Sequence, residues 1–271
     1  MFGARPTAGP GGTLTLGRVI DLHSHVLPGI DDGPETLEGS LAIARRAVAE
    51  GIDTLLATPH VSSRYPNDAE TIAAALERVR KALRREAIPL EVLAGAELSM
   101  THLAELEPGA IAGLSLGGSG WLLVEPPFTT VRTGIETTVR GLLWEGHRVL
   151  LAHPERCPAI HRDPQIVSRL VEDGVLTSLT AGSLIGRFGS QARRMALSLL
   201  REGLAHNVAS DAHDDVNRPP AIALQLAEAG YGELTGWLAE EVPAAILADA
   251  EIPPRPPDAR SRLRRLWPLR R

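Results

Sequence analysis

Short apolar segments alternate with amphipathic segments along most of this chain, and this alternation limits the possible folds more than any other feature. The first apolar segment, Val19 to Leu22, is typical of a short buried strand, and Glu35 to Glu50 has the apolar spacing of a helix. We predict further strands at residues 54–58, 90–93, 121–124, 148–152, 175–179 and 207–210, and helices at about 68–85, 129–145, 164–172, 190–201 and 219–250. Strands separated by helices form parallel sheets, and about six or seven such units without a domain break favour a closed α/β barrel.

The chain length of 271 residues fits one large domain, because α/β barrels of this size are commonly single domains. We place this domain at residues 18–252. Residues 1–17 are rich in Gly, Pro, Thr and Ala and lack the apolar segment of a signal peptide, so we expect a disordered leader. Residues 253–271 are rich in proline and arginine, so we expect a solvated basic tail or short helix, with contact to an acidic partner or a membrane surface as the alternative.

The composition argues against several classes of protein. The net charge is −5 and aromatic residues make up only 3% of the chain, so neither a positive field nor stacking platforms point to nucleic acid. No apolar run approaches the roughly 18 to 20 residues needed to span a bilayer, so we do not expect a membrane protein. Cys157 is the single cysteine, which excludes an internal disulfide and fits a reducing, cytoplasmic location.

Histidine and carboxylate side chains occur where the predicted strands end. His23 and His25 alternate along the first strand and therefore point to the same side. The complete group is His23, His25, Asp32, His60, Glu97, Glu125, His153, Asp211 and His213. The carboxyl ends of barrel strands meet at one face, where the active sites of such barrels lie. Each residue alone is more commonly an ordinary loop residue, but together they would be costly to bury without cations, so the sequence predicts a metal site.

Imidazole and carboxylate ligands in this number suit two or three metal ions that share carboxylate bridges. Mixed nitrogen and oxygen ligation favours Mn²⁺, Fe or Zn²⁺ over Mg²⁺ and Ca²⁺. Metal clusters of this kind bind phosphate oxygens and lower the pKa of a water molecule toward neutrality. We therefore expect hydrolysis of a phosphoester.

Arg156 follows His153 on the same predicted loop, where its planar guanidinium matches two oxygens of a phosphate group. The alternative role is a salt bridge with Glu155 or another neighbouring carboxylate. Cys157 is adjacent and invites comparison with cysteine phosphatases, in which a loop of backbone amides is closed by an arginine. The spacing from Cys157 to Arg162 is one residue too short for that loop, so we discount this mechanism.

Six segments of the chain carry a family pattern: Asp21-Leu22-His23-Ser24-His25, Asp31-Asp32-Gly33-Pro34, Ala57-Thr58-Pro59-His60, Gly95-Ala96-Glu97, Ala152-His153-Pro154-Glu155-Arg156 and Ser210-Asp211-Ala212-His213. In the order and spacing of these segments, the chain resembles the polymerase and histidinol phosphatase (PHP) superfamily over about residues 19–250. Within it, the match is to the bacterial manganese-dependent protein tyrosine phosphatases of capsule and exopolysaccharide loci. A departure lies at Thr180-Ala181-Gly182-Ser183, where relatives often carry Asn and Ser.

The resemblance implies a distorted (β/α)₇ TIM-like barrel that holds three divalent metal ions, in the first place Mn²⁺. It implies one ion on His23, His25, Glu97 and Asp211, a second on Glu97, Glu125 and His153, and a third on Asp32, His60 and His213. It also implies that Arg156 binds phosphate and that Asp32, His153 and Asp211 take part in catalysis with it.

The implied activity is hydrolysis of phosphotyrosine on the Tyr-rich tail of a membrane-bound bacterial tyrosine kinase that controls polysaccharide export. A small-molecule phosphomonoesterase of the histidinol phosphate type and a phosphodiesterase are the alternatives within enzymes. A catalytically silent, metal-stabilised binding protein is a further class, but it would be expected to have lost a ligand or Arg156, and none is missing.

Overall fold

A computed structural model describes residues 18–106, 109–130 and 134–257. The strands are β1 (Val19–Ser24), β2 (Ile52–Ala57), β3 (His60–Val61), β4 (Glu91–Ala94), β5 (Glu97–Ser99), β6 (Trp121–Glu125), β7 (Arg148–Ala152), β8 (Leu176–Thr180) and β9 (Asn207–Ala209). The helices are α1 (Leu37–Ala49), α2 (Ala69–Arg85), α3 (Ile135–Trp144), α4 (Pro158–Arg162), α5 (Gln165–Glu172), α6 (Ala181–Leu184), α7 (Gly189–Glu202), α8 (Ile222–Glu228) and α9 (Val242–Leu247). The predicted leader and the arginine-rich residues 258–271 lie outside the described residues.

The strands form two parallel sheets. The first has the order β1-β2-β4, and the second has the order β3-β5-β6-β7-β8-β9. Only Thr58 and Pro59 separate β2 from β3, and only Gly95 and Ala96 separate β4 from β5. Two chain segments therefore pass directly from the first sheet into the second.

Local chemistry accounts for both interruptions. Pro59 has no backbone N–H to contribute to a ladder, which favours a break in the strand there. A Cβ atom on Gly95 would come within 3.1 Å of side-chain carbons of Thr58 and Leu116, so the close approach of these segments requires glycine. Beyond the interruption, the backbone N–H of Glu97 donates to the Pro59 carbonyl at 3.0 Å, which joins the two segments again.

The end of β1 lies beside the segment that follows β9. The backbone N–H of Asp211 donates to the His23 carbonyl at 2.9 Å, and the N–H of His25 donates to the Ala212 carbonyl at 2.8 Å. Ser24 and Ala212 form a parallel bridge at the same point. The carboxyl ends of the first and last strands are therefore adjacent.

Amphipathic helices pack outside the sheets and bury their apolar faces. The side chain of Thr36 accepts a hydrogen bond from the Gly39 N–H at the start of α1, and Asp68 does the same for Thr71 at the start of α2. Leucine, valine, isoleucine and alanine dominate the buried core, in keeping with the low aromatic content. No helix in the described part of the chain is both long and apolar enough to cross a bilayer.

The α/β class with parallel sheets is confirmed, and the predicted strands and most predicted helices are present with small shifts at their ends. The helix predicted from residue 129 is observed from Ile135, after Gly134 with a left-handed φ of 101°, and residues 131–133 lie outside the described ranges. The stretch at 219–250 is divided between α8 and α9, with glycines 230 and 232 between them.

The first residues of the predicted tail pack on the domain. The Arg255 guanidinium donates to the Leu200 carbonyl at 2.7 Å, and the Trp237 indole N–H donates to the Pro253 carbonyl at 3.0 Å. Leu200 lies near the end of α7, and the chain then enters β9. Arg255 is therefore at the end of the fold opposite the carboxyl ends of the strands.

Candidate metal centre

A cavity of about 270 Å³ opens at the carboxyl ends of the strands. Its lining consists of Asp32, His60, Ser62, Arg64, Tyr65, Glu97, Glu125, Phe128, His153, Arg156, Asp211, His213 and Arg218. Two of the nine predicted ligands, His23 and His25, are absent from this lining and lie in its floor, with 2% and 0% of their surface exposed. The structure thus brings all nine predicted ligands into one cluster.

The floor of the cavity is formed by His23, near the end of β1, and by His25, directly after it. Their Nε2 atoms are 3.2 Å apart, and each lies 3.3 Å from Glu97 Oε2. Asp211 Oδ1 is 3.6 Å from the nitrogen of His23 and 3.4 Å from that of His25. Donor atoms about 2.1 Å from one ion are roughly 3.0 to 3.4 Å apart when they are neighbouring ligands. His23, His25 and Glu97 therefore form one group of donor atoms with Asp211 beside the two histidines, and their ligation of one ion stays a prediction.

Glu97 lies at the centre of the cluster. The register of β3 and β5 pairs His60 with Glu97, and Glu97 Oε2 lies 2.9 Å from His60 Nδ1, while Oε1 lies 2.7 Å from His153 Nε2. Oε2 is buried and accepts no hydrogen bond of good geometry from the described residues. A buried carboxylate oxygen that faces imidazole nitrogens without a hydrogen bond fits a cation between them.

Glu125, at the end of β6, adds a second carboxylate to the same region. Burial and the charge of Glu97 raise the pKa of Glu125 to about 8. Its oxygens lie 3.9 Å from His60 Nδ1 and 3.9 Å from His153 Nε2. Donor atoms of His60, Glu97 and Glu125 lie within 4.8 Å of one another. The resemblance implies His153 rather than His60 in this set, and the structure places both imidazoles at similar distances from Glu125.

Asp32, His60 and His213 form a further group at the mouth of the cavity. Asp32 Oδ1 lies 3.5 Å from His60 Nε2 and 3.3 Å from His213 Nε2. His25 also has a donor atom within 4.8 Å of these three. Clusters of His, Asp and Glu able to bind metal ions are therefore present, and the donor set is of the mixed nitrogen and oxygen kind.

Asp31 supports this group, although the sequence pattern alone did not single it out. Asp31 Oδ2 lies 2.7 Å from His25 Nδ1 and accepts a hydrogen bond from the His60 backbone at 3.2 Å. A carboxylate on the second nitrogen of a histidine fixes the tautomer and orientation of the ring for metal binding.

Two of the predicted ligands adopt backbone conformations that cost energy. His153 follows β7 with φ 31°, and Asp211 follows β9 with φ 52°. Left-handed conformations are uncommon for residues other than glycine and occur at functional sites, where the surrounding structure maintains them. In addition, burial and the charge of Arg156 lower the pKa of His153 to about 4, which keeps its imidazole neutral, as a metal ligand must be.

Two arginines line the cavity above the floor. Arg156 Nη1 and Arg218 Nη2 both donate to Asp211 Oδ2, at 2.5 Å and 2.6 Å. The carboxylate of Asp211 therefore faces the histidines with one oxygen and the guanidiniums with the other. Arg218 was missed by the sequence reasoning, although it follows His213 on a strand-end loop much as Arg156 follows His153.

The family model for capsular polysaccharide synthesis proteins of the CpsB/CapC type matches residues 19–234. The chain belongs to the CpsB/CapC family. The tyrosine-protein phosphatase YwqE of Bacillus subtilis (strain 168) is 35% identical over 242 residues, which cover 88% of this chain and 95% of YwqE. The tyrosine-protein phosphatase CpsB of Streptococcus pneumoniae is 30% identical over 210 residues, which cover 74% of this chain and 86% of CpsB.

Solved structures agree with this CpsB/CapC assignment. A crystal structure from work on YwqE of Bacillus subtilis and CpsB of Streptococcus pneumoniae, described as unique metal-dependent tyrosine phosphatases, superposes with a TM-score of 0.75 at 34% identity. The match covers 88% of this chain and 99% of that chain. The phosphotriesterase homology protein of Escherichia coli has a TM-score of 0.58 at 12% identity over 85% of this chain and 98% of its own, a likeness of fold alone.

Glu155 and Cys157 are the sequence neighbours of Arg156 in this CpsB/CapC protein, but neither lines the cavity. Glu155 Oε1 accepts hydrogen bonds from the Thr180 backbone at 2.9 Å and from Ser183 Oγ at 2.7 Å, so Arg156 pairs with Asp211 rather than with Glu155. The Cys157 thiol is buried, and burial raises its pKa. A nucleophilic thiolate at Cys157 is therefore unsupported, in agreement with the sequence argument.

Proposed function

We propose that the protein is a metal-dependent protein tyrosine phosphatase. The observation that carries the proposal is the divided carboxylate of Asp211, with Oδ1 beside His23 and His25 and Oδ2 bound by Arg156 and Arg218. One residue thus joins a metal-binding floor to a pair of anion-binding cations in a single cavity. The names of the relatives, tyrosine-protein phosphatases, supply the substrate class.

We infer three divalent ions, in the first place Mn²⁺, with Fe or Zn²⁺ as alternatives. The support is the three overlapping groups of donor atoms and the mixed imidazole and carboxylate ligands. The proposed sets are His23, His25, Glu97 and Asp211, then Glu97, Glu125 and His153, then Asp32, His60 and His213. When bound, the ions attract the phosphate oxygens by their positive charge and lower the pKa of a metal-bound water molecule toward neutrality.

The protein side chains act on the phosphoryl group through fixed positive charge. Arg156 offers a planar fork to the non-bridging oxygens, and Arg218 adds a second cation at the same wall of the cavity. Arg218 Nε is buried and donates no hydrogen bond to the described residues, while its Nη2 atom donates to Asp211 Oδ2. The two guanidiniums therefore orient the phosphoryl group and stabilise the charge on its oxygens.

Asp32, His153 and Asp211 complete the proposed catalytic group. Burial tends to raise the pKa of Asp32, but the hydrogen bond and charge of His213 outweigh it and lower the pKa. Asp32 is therefore proposed as an ionised metal ligand at the mouth, while His153 stays neutral. The leaving tyrosyl oxygen has an ordinary pKa of about 10, so departure does not require a strong general acid.

We further propose that residues 18–252 form one distorted (β/α)₇ barrel. The support is the passage of β2–β3 and β4–β5 from one sheet to the other and the hydrogen bonds between the end of β1 and the segment after β9. If β2–β3 and β4–β5 are each counted as one interrupted strand, the nine strands become seven strand positions around the core. The cavity then lies at the carboxyl ends of these seven positions.

The proposed physiological substrate is the phosphorylated Tyr-rich tail of a membrane-bound bacterial tyrosine kinase in polysaccharide synthesis. The family description, capsular polysaccharide synthesis, supports this pathway. The kinase tail would be met in the cytoplasm, which agrees with the single, buried cysteine.

The test is a comparison of metals, substrates and variants. Metal-stripped protein is supplied with Mn²⁺, Fe²⁺, Zn²⁺ or Mg²⁺ and assayed on a phosphotyrosyl peptide, histidinol phosphate and a phosphodiester. We expect Mn²⁺ to restore the highest activity, and phosphotyrosine to be the preferred substrate. We expect Arg156→Ala to lower kcat/KM by about 10- to 100-fold through loss of charge-assisted hydrogen bonds, and His153→Ala to lower it further.

Trp144→Leu is the matched control, because the Trp144 side chain is 91% exposed and away from the cavity lining. Phosphotyrosine hydrolysis that survives both Arg156→Ala and His153→Ala would refute the mechanism. A preference for histidinol phosphate or for the diester would instead select one of the alternative activities.

A further inference from the structure

Phe188 lies against both arginines of the cavity. The Cζ atom of Arg156 is 4.3 Å from the centre of the Phe188 ring, and that of Arg218 is 5.5 Å away. Both guanidiniums also donate to the same oxygen of Asp211. Two cations therefore share one carboxylate oxygen and one aromatic ring.

We propose that Phe188 is a positioning residue that holds Arg156 and Arg218 as a pair for binding the phosphoryl group. The proposal rests on the proposed function, because it assigns a partner to the two arginines that bind phosphate there. The guanidiniums repel each other, and the single charge of Asp211 is shared with the metal-binding floor. The single negative charge of Asp211 does not balance the two positive charges of Arg156 and Arg218. The negative face of an aromatic ring attracts a guanidinium, so the Phe188 ring adds a favourable contact to both arginines.

The ring also limits the conformations of two long side chains. An arginine loses much rotamer freedom when it is fixed on a ligand, and a side chain already held in place loses less on binding. Phe128 contacts Arg156 as well, at 5.3 Å from its ring centre, but Phe188 is the aromatic residue in contact with both arginines among the described residues. Loss of the Phe188 ring should therefore leave both Arg156 and Arg218 less fixed in position.

Contacts of α6 and of the loop between α6 and α7 fix the position of Phe188. A Cβ atom on Gly182 would lie 3.2 Å from Phe188 Cε2, so the absence of a side chain at Gly182 leaves room for the ring. Arg187 donates from its backbone to the Gly182 carbonyl at 2.9 Å and from its side chain to the Asn217 carbonyl. This second contact attaches the loop to the residue that precedes Arg218.

The test uses Phe188→Leu, which keeps an apolar side chain but removes the ring, and Phe188→Tyr, which keeps the ring. Binding of inorganic phosphate to metal-loaded protein is measured by calorimetry, and kcat and KM are measured on a phosphotyrosyl peptide. We expect Phe188→Leu to weaken phosphate binding about tenfold and raise KM, and Phe188→Tyr to remain within about twofold of wild type. Metal content should be unchanged in both variants, and Trp144→Leu serves as the control.

A double-mutant cycle separates positioning from general packing. If Phe188 acts through the arginines, Phe188→Leu should have no further effect on phosphate binding once Arg156 and Arg218 are both alanine. The proposal is overturned if Phe188→Leu binds phosphate as wild type does, if Phe188→Tyr is as weak as Phe188→Leu, or if the leucine effect persists without the arginines. Wild-type protein that binds phosphate but does not hydrolyse phosphotyrosine would refute the proposed function and leave this result standing.

Discussion

Acid should destabilise the protein through His206, a partly buried residue at the end of the fold opposite the cavity. Burial, together with the charge of Arg255, lowers the pKa of His206 from 6.5 to about 4. His206 Nδ1 lies 3.3 Å from the Thr177 backbone N–H and accepts a hydrogen bond from it. Protonation of this nitrogen would remove the acceptor and place a cation near Arg255.

The size of the effect follows from proton linkage. Above about pH 6.5 the ring is neutral in both the folded and the unfolded chain, so folding carries no penalty from it. As the pH falls from about 6.5 to 4, the unfolded chain binds a proton that the folded chain does not, so the free energy of unfolding decreases. A shift of about 2.5 pH units corresponds to about 3.4 kcal/mol once the pH is below both pKa values, and to about 2 kcal/mol at pH 5. Partial solvent exposure makes both values upper limits.

Urea unfolding of metal-free protein at pH 8 and pH 5 measures this loss. His206→Gln removes the titrating group and keeps an acceptor for Thr177, so it should lose up to about 2 kcal/mol less than wild type between the two pH values. Arg255→Gln should give an intermediate loss, since it removes the positive charge beside the ring. Comparison between variants cancels the other titrating groups. Equal losses in wild type and His206→Gln, or a His206 pKa near 6.5 by NMR, would refute the reasoning.

Two further predictions concern the metal floor and the tail. His25→Ala should lower both the metal content and the Tm of the protein. Asp31→Asn should weaken metal affinity by about 10- to 100-fold, because it leaves the His25 ring without its carboxylate partner. A metal content equal to that of wild type in both variants, measured by elemental analysis, would contradict this prediction. Deletion of residues 258–271 should weaken dephosphorylation of the membrane-bound kinase. Turnover of p-nitrophenyl phosphate should not change, because Arg255, just before the deleted residues, packs at the end of the fold opposite the cavity. Equal losses of activity on both substrates would exclude a docking role for the tail.

The alternation of apolar and amphipathic segments was sufficient to predict parallel α/β architecture, because that pattern repeats along nearly the whole chain. It did not predict β3 and β5, which have 2 and 3 residues and are too short to show a periodicity. At the interruption between β4 and β5, Gly95 approaches Thr58 and Leu116, which lie in segments distant from it in sequence. Local propensity carries no information about such an approach.

The predicted ligands could be found because parallel strands bring their carboxyl ends to one face, so position in the pattern indicates position in space. Residues that act by positioning other side chains could not be predicted from the pattern of strands. Asp31 orients His25, and Phe188 contacts Arg156 and Arg218, but neither relation has a spacing rule. Arg218 is the exception, since an arginine on a strand-end loop after a ligand histidine is the same signal that identified Arg156.

Hydrogen bonds within the protein connect the elements that carry the floor of the site. The Asp21 carboxylate accepts hydrogen bonds from the backbone N–H of Ser210 at 3.0 Å and from its hydroxyl at 2.5 Å, and the Asp211 N–H donates to the His23 carbonyl at 2.9 Å. These bonds join β1 to the segment after β9 and fix the separation of Asp211 from His23 and His25. A bound ion would therefore strengthen an existing junction between the two ends of the domain. Because the same Asp211 also fixes the guanidiniums, a change at this junction should alter metal binding and phosphate binding together.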